Sequence, residues 1–326
     1  MVYKLDAGTV IDAEGNLVIE NLYAGSVSQF YQFQGSTSGY TSGGSSPTKQ
    51  NTIDKFPVSS DANATDVGDL TVARDHIAGQ SSLNSGYTSG GEAPPYSNVI
   101  DKFPFSSDAS ATDVGDLSQA RANVAGQSSS SNGYTTGGFA PPTVNTIDKF
   151  PFSSDANATD VGDLVATRYN TAGNSENDVN GYATGGSTVQ DSIYRFPFSS
   201  DGNATDVANI SQARRELTGQ SSDTHGYTSG GSTGPATPTG LNTIDKFSFA
   251  NTVNGTDVGD LTQTRSRPAG QSSTASGYSS GGGNNTPPVS ANQQNTIDKF
   301  PFATDANATD VGDLTQARDG AAGQQV

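Results

Sequence analysis

The chain has 326 residues, 31% of them hydrophobic, and contains neither Cys nor Trp. Its formal net charge of −17 argues against nucleic acid as a partner, because phosphate contacts are made by Lys and Arg, and against an anionic membrane surface. The lack of Cys excludes disulfides and thiolate chemistry, and no stretch approaches the roughly 18 apolar residues that would predict membrane insertion.

Residues 1–30 differ from everything that follows. The opening "MVYKLDAGTVIDAEGNLVIENL" lacks the basic-then-apolar order of a secretory signal. A protein of this kind working outside a cell is expected to leave by lysis or to ride on a particle. "TVIDAEGNLVIENL" predicts two short strands around a Glu-Gly-Asn turn. This is a small β segment suited to attachment or to homo-oligomerisation, ahead of a second unit spanning 31–326.

Low hydrophobicity with high net charge can describe disorder. Here, however, Tyr and Phe recur at fixed places, which predicts a β-rich fold with a thin, regularly divided core. Three landmarks recur six times. Gly-Tyr followed by Gly-Gly begins at Gly39, Gly86, Gly133, Gly181, Gly226 and Gly277. "IDKF" begins at Ile53, Ile100, Ile147, Ile244 and Ile297, with "IYRF" at Ile193. An Arg closes each "DVGDL" stretch or its variant, at Arg74, Arg121, Arg168, Arg214, Arg265 and Arg318. From Ile to Arg is 21 residues in every copy, while Gly-Tyr to Ile runs from 12 to 20. Almost all length variation therefore sits in one loop, and repeats place such insertions on one face.

Four strands are predicted per unit: a around "AGQSS", b in "GYTSGG", c in "NTIDKFPF" and d in "TDVGDL", separated by turn-forming residues. Six such units predict an all-β, six-bladed β-propeller. The first unit lacks a well-spaced strand a, and the chain ends in a spare one, "AGQQV". Residues 322–326 are therefore expected to pair into the first blade and clasp the ring.

The double glycine, the aromatic near the end of strand c (Phe56, Phe103, Phe150, Phe196, Phe247, Phe300) and the Arg after strand d resemble the kelch-repeat family over about residues 31–326. One departure is that kelch units usually carry a Trp on strand d, where this chain has Val67, Val114, Val161, Val207, Val258 and Val311. The near-identity of the units also resembles repetitive structural proteins of marine phage particles.

"DANATD" has the alternating oxygens of a calcium loop, but it lacks the central Gly and the distant Glu of an EF-hand. An Asx-type turn is the expectation, with calcium at these Asp-x-Asn-x-Thr turns as the alternative and no cofactor otherwise expected. Of the 16 Lys and Arg, 12 sit at repeat positions. They predict a ring of structural charge pairs within or between blades, joining Lys55 and its equivalents, Arg74, Arg121, Arg168, Arg214, Arg265 and Arg318 to repeated acids such as Asp54, Asp66 and Asp69. His76 and His225 occupy non-equivalent places, have no ligand or catalytic pattern around them, and are expected in solvent-exposed loops.

Function is expected where the units differ, in the loops between strands b and c. Lys49, Pro94, Pro95, Tyr96, Phe139, Pro141, Pro142, Leu241, Asn284, Asn285 and Pro288 are the candidate binding residues there. Rigid scaffolds commonly carry recognition on such loops. With no catalytic or metal motif, the expectation is a non-enzymatic virion structural protein: a tail fibre, a tail-associated protein or a capsid decoration. Residues 1–30 would contact other virion proteins, and the loops would bind host-surface glycan or protein. The alternative is a bacterial extracellular or cell-surface kelch-type adhesin.

Overall fold

The computed structural model describes residues 32–234, 240–284 and 292–326, together with a strand pair near the N-terminus. The chain divides into two compact units, Met1–Phe30 and Tyr31–Val326. In the first, Val10–Ile11 pairs antiparallel with Leu17–Val18. The second is a six-bladed β-propeller of four-stranded antiparallel blades, with no helix among the described residues. The second blade serves as the pattern: strand a Ala78–Ser81, b Ser85–Ser89, c Val99–Pro104 and d Thr112–Asp116, hydrogen-bonded in that order.

The first blade is completed from the far end of the chain. Ala322–Gln325 supplies its strand a and pairs with Ser38–Ser42, Gly323 lying opposite Thr41. Ring closure thus removes an open sheet edge, as the spare "AGQQV" predicts.

A chain with so few apolar residues folds because its core is divided among the seams between blades. The seam between blades two and three buries Tyr87, Ile100 and Leu117 of one blade with Phe150 and Ala158 of the next. The same set recurs at the other seams, except that the fourth has Ile210 for the Leu and Gly255 for the Ala. The valines of strand d, including Val67 and Val114, lie half-buried at the edge of these clusters. Each strand-b Tyr also stacks on a second Phe of the next blade, as Tyr87 does on Phe152 at 4.7 Å; at the last seam Val58 stands in that place. Beside each Tyr, the Gly of Gly-Tyr leaves room for the Phe opposite it. A Cβ on Gly86 would lie 2.3 Å from the tip of the Phe103 ring.

Backbone approaches backbone at the axis. A Cβ on Gly126 of strand a would lie 2.2 Å from the carbonyl oxygen of Gly79, and the equivalent glycines repeat this around the ring. Beside them Gln80, Gln127, Asn174, Gln220, Gln271 and Gln324 are buried. Each donates its side-chain N–H to the carbonyl of the strand-b Tyr in the following blade. Buried amides need such partners, and here the partners bind one blade to the next.

Candidate functional site

The repeated motifs form the seams. In "DANATD", Asp155 pairs with Lys102 of the preceding blade at 3.0 Å. Asn157 accepts from the backbone N–H of Asp116 through Oδ1, and the N–H of Ala158 donates to the carbonyl of Asp116. The turn therefore grips both backbone groups of one residue on the neighbouring edge strand. Asp160 accepts from the N–H of Gly162, which is the Asx turn expected of the motif. The turn's first Asp and its Asn are thus engaged in protein contacts.

The arginines lie deeper. Arg74, Arg121, Arg214, Arg265 and Arg318 pair with Asp101, Asp148, Asp245, Asp298 and Asp54 of the following blade at 2.8–3.0 Å, with both side chains fully buried. Each Asp also accepts from the backbone ahead of its Arg, as Asp101 does from the N–H and the hydroxyl of Thr71. Burial pulls the Arg74 guanidinium below its ordinary value while Asp101 opposes it. Arg stays charged in such surroundings.

Two members of the expected ring are elsewhere. Asp66 and Asp69 are exposed and form no salt bridge among the described residues. Strand d is the outer edge of each blade, so its acids turn to solvent, whereas strand c is covered on both faces and its Asp must be paired. Lys55 pairs with Asp108 of the next blade. One seam departs from the rule: Arg168 meets Tyr194 in place of an aspartate, lying 4.1 Å from the ring centre and donating to its hydroxyl.

The face carrying the b–c loops is different. It also carries the links from each strand d to the next strand a, and there lies a ring that the sequence reading missed. His76, Asn123, Asn170, Glu216, Arg267 and Gly320 follow the six arginines by two residues and surround the axis. Each donates its backbone N–H to the carbonyl of the one before, at 2.7–3.0 Å, and His76 closes the circle onto Gly320. All six have φ between +54° and +66°. The ring caps an axial cavity of about 110 Å³, with Phe33 at its other end. All three positions between Arg and "AGQ" vary from copy to copy, so the sequence did not single this one out.

His76 is therefore an axial residue and not the solvent-exposed loop residue expected. Its Nδ1 lies 3.3 Å from Asp75 and its Nε2 3.4 Å from Arg267. His225 opens strand b of the fifth blade, His225–Ser229, with Nδ1 2.8 Å from the Thr224 hydroxyl. Around His76, Arg267 pairs with Asp319 at 3.1 Å, and Lys49 pairs with Asp75 at 2.9 Å and Glu92 at 3.1 Å. Burial raises the Asp319 carboxyl, and Arg267 and His76 only partly offset it. Burial acts the same way on Asp75, but His76 and Lys49 outweigh it and hold that carboxyl below its ordinary value. Asp75, His76 and Glu92 are close enough to share a cation, yet the Lys49 ammonium already sits against both acids.

The other expected binding residues lie on this face. Pro94, Pro95, Pro141 and Pro142 are exposed, and Tyr96 and Phe139 are half-buried with their rings in contact at 5.9 Å. Leu241 is half-buried at a loop base, its N–H bonded to the Gly231 carbonyl, and the Asn284 N–H meets the Asn292 carbonyl. Lys49 is engaged as a cross-link between neighbouring loops. Asn285 and Pro288 lie outside the described residues.

No family model matches the chain, and no curated protein matches it. Fold and site together define a six-bladed β-propeller with internal repeats, uniform at its seams and individual on one face.

Proposed function

We propose that this chain is a kelch-like, non-enzymatic virion structural protein that uses its variable face for recognition and residues 1–30 for attachment to other virion proteins. The observation that carries this reading is the concentration of length variation in the b–c loops of one face. On the opposite face the c–d turns repeat from blade to blade, and the chain enters the propeller there. Gln32 and Phe33 bond to Asp223 and Asn177 in the a–b turns of the fifth and fourth blades. The polar, acidic surface and the phage-like uniformity of the units support the same reading.

The test is peptide mass spectrometry on density-banded particles. Co-sedimentation with capsid proteins at fixed stoichiometry is expected, and the copy ratio separates a fibre from a decoration protein. Recovery only with cells or in the soluble supernatant overturns the virion reading in favour of an extracellular or cell-surface adhesin.

A further inference from the structure

The variable face is chemically divided. Of the six links that carry the axial ring, four contain charged residues: Asp75-His76, Arg215-Glu216, Ser266-Arg267 and Asp319-Gly320. Their charges are tied to one another and to Lys49 and Glu92. The other two links, Ala122-Asn123 and Tyr169-Asn170, are uncharged, as is the loop at 139–144 beside them.

That neutral sector concentrates aromatic rings. Tyr96, Phe139 and Tyr169 form a continuous line across it, with ring centres 5.9 and 5.7 Å apart. All three are half-buried, so part of each stays accessible. The line is anchored to the axial ring: Phe139 and Ala122 exchange two backbone hydrogen bonds, and Tyr169 directly precedes Asn170. The side-chain amides of Asn123 and Asn170 and the hydroxyls of Tyr96 and Tyr169 make no hydrogen bond among the described residues.

The backbone conformation also bears on these two residues, as it does on His76, Glu216 and Arg267 in the same ring. At φ of 58° and 59°, Asn123 and Asn170 occupy the left-handed region where glycine is cheapest, and the equivalent Gly320 shows that glycine fits this ring. Asn tolerates that conformation better than most side chains, but at some cost. Strain of this kind points toward function when it is observed.

We infer that the sector formed by Tyr96, Phe139, Tyr169, Asn123 and Asn170 binds a neutral oligosaccharide. Aromatic faces are negative at the centre and attract the polarised C–H groups of a sugar ring. A side-chain amide offers both donors and an acceptor, the pair of functions that a sugar hydroxyl uses. None of these five residues carries a charge, and the nearby Glu92, in the loop of Tyr96, is already paired with Lys49. This rests on the reading of the variable face as the recognition face and names its ligand class.

The experiment is binding of the purified full-length chain to an immobilised panel of neutral, sialylated and sulfated oligosaccharides, with melting temperature recorded alongside. Retention on neutral oligosaccharides is expected. Tyr169→Ala and Asn123→Gly should each weaken it roughly tenfold. Asn123→Gly keeps the backbone conformation unstrained, so it separates loss of the amide from loss of the fold. Lys102→Ala, on the opposite face, should bind as the parent does. No retention on any member of the panel, retention confined to the acidic glycans, or unchanged binding by both sector variants overturns the proposal. Particle banding is scored separately, so a virion protein that binds no neutral sugar refutes this inference and leaves the virion reading standing.

Discussion

The c–d turns on one face of the propeller largely repeat, while the b–c loops on the other have a different composition in every blade. Both arise from the same unit, so the difference follows from what each face touches. At the c–d turns three motif residues meet the neighbouring blade: Asp155 meets Lys102, and Asn157 with Ala158 grips Asp116. A change there must suit two blades at once. On the variable face the base of each loop is held alike, by bonds such as Gly91 N–H to the Arg121 carbonyl, while contacts farther out, such as those of Lys49, differ from loop to loop. Repetition therefore marks packing, and variation marks surface that packing does not constrain.

That contrast can be broken hardest at the clasp. Deleting residues 322–326 removes the innermost strand of the first blade with its backbone bonds and the buried Ala322 and Gln324. At about 1 kcal/mol per bond plus lost burial, the loss should exceed roughly 5 kcal/mol and be plain in calorimetry. Unchanged melting would mean that the ring does not depend on this strand.

Arg121→Ala comes next, because it leaves Asp148 buried without its cation. Denaturant unfolding should show a loss of about 3–5 kcal/mol. An equivalent loss from Lys102→Ala would erase the distinction between the deep and the exposed charge pairs, since an exposed pair contributes about 0–1 kcal/mol.

The seams also predict alkaline behaviour. Burial pushes the Tyr134 and Tyr227 hydroxyls up to about 12 from an ordinary 10.0. A raised folded-state value means the unfolded chain gives up the proton first. Their contribution to stability is therefore complete below about pH 10 and is lost as the pH rises through about 12. Ultraviolet titration of tyrosinate, run beside melting curves, should show late ionisation coinciding with loss of the fold. Complete titration near pH 10 with the fold intact would contradict the buried seams.

Smaller effects probe single turns. Asn157→Ala removes one hydrogen bond to the neighbouring edge strand and should cost about 1 kcal/mol. At the fourth seam Arg195 stands in the lysine's place and Thr252 in the aspartate's, and no salt bridge joins them. Thr252→Asp should restore the pair and gain a few tenths up to about 1 kcal/mol, less at high salt.

Much of this was legible because the chain repeats. Constant spacing from Ile to Arg gave the four strands, and the spare "AGQQV" gave the clasp, since a strand without a partner at one end must find the vacancy at the other. The pairing of the arginines was legible only in part. Spacing alone makes Asp54, Asp66 and Asp69 equivalent candidates, and only the burial of strand c against the exposure of strand d selects Asp54. The axial ring was not legible at all. Its residues share a position but no chemistry, and the circle of six backbone bonds that joins them carries no side-chain signature.

The sequence by itself therefore determined the blade count, the strand order, the main place of length variation and the recurrent aromatics of the core, because each of these is periodic and local. Only the tertiary structure decided which acid meets which arginine, that His76 belongs to the axis, and that Tyr96, Phe139 and Tyr169 form one surface. Those contacts join residues of different blades, and a repeating sequence records what each blade is made of without recording which parts of its neighbours it will face.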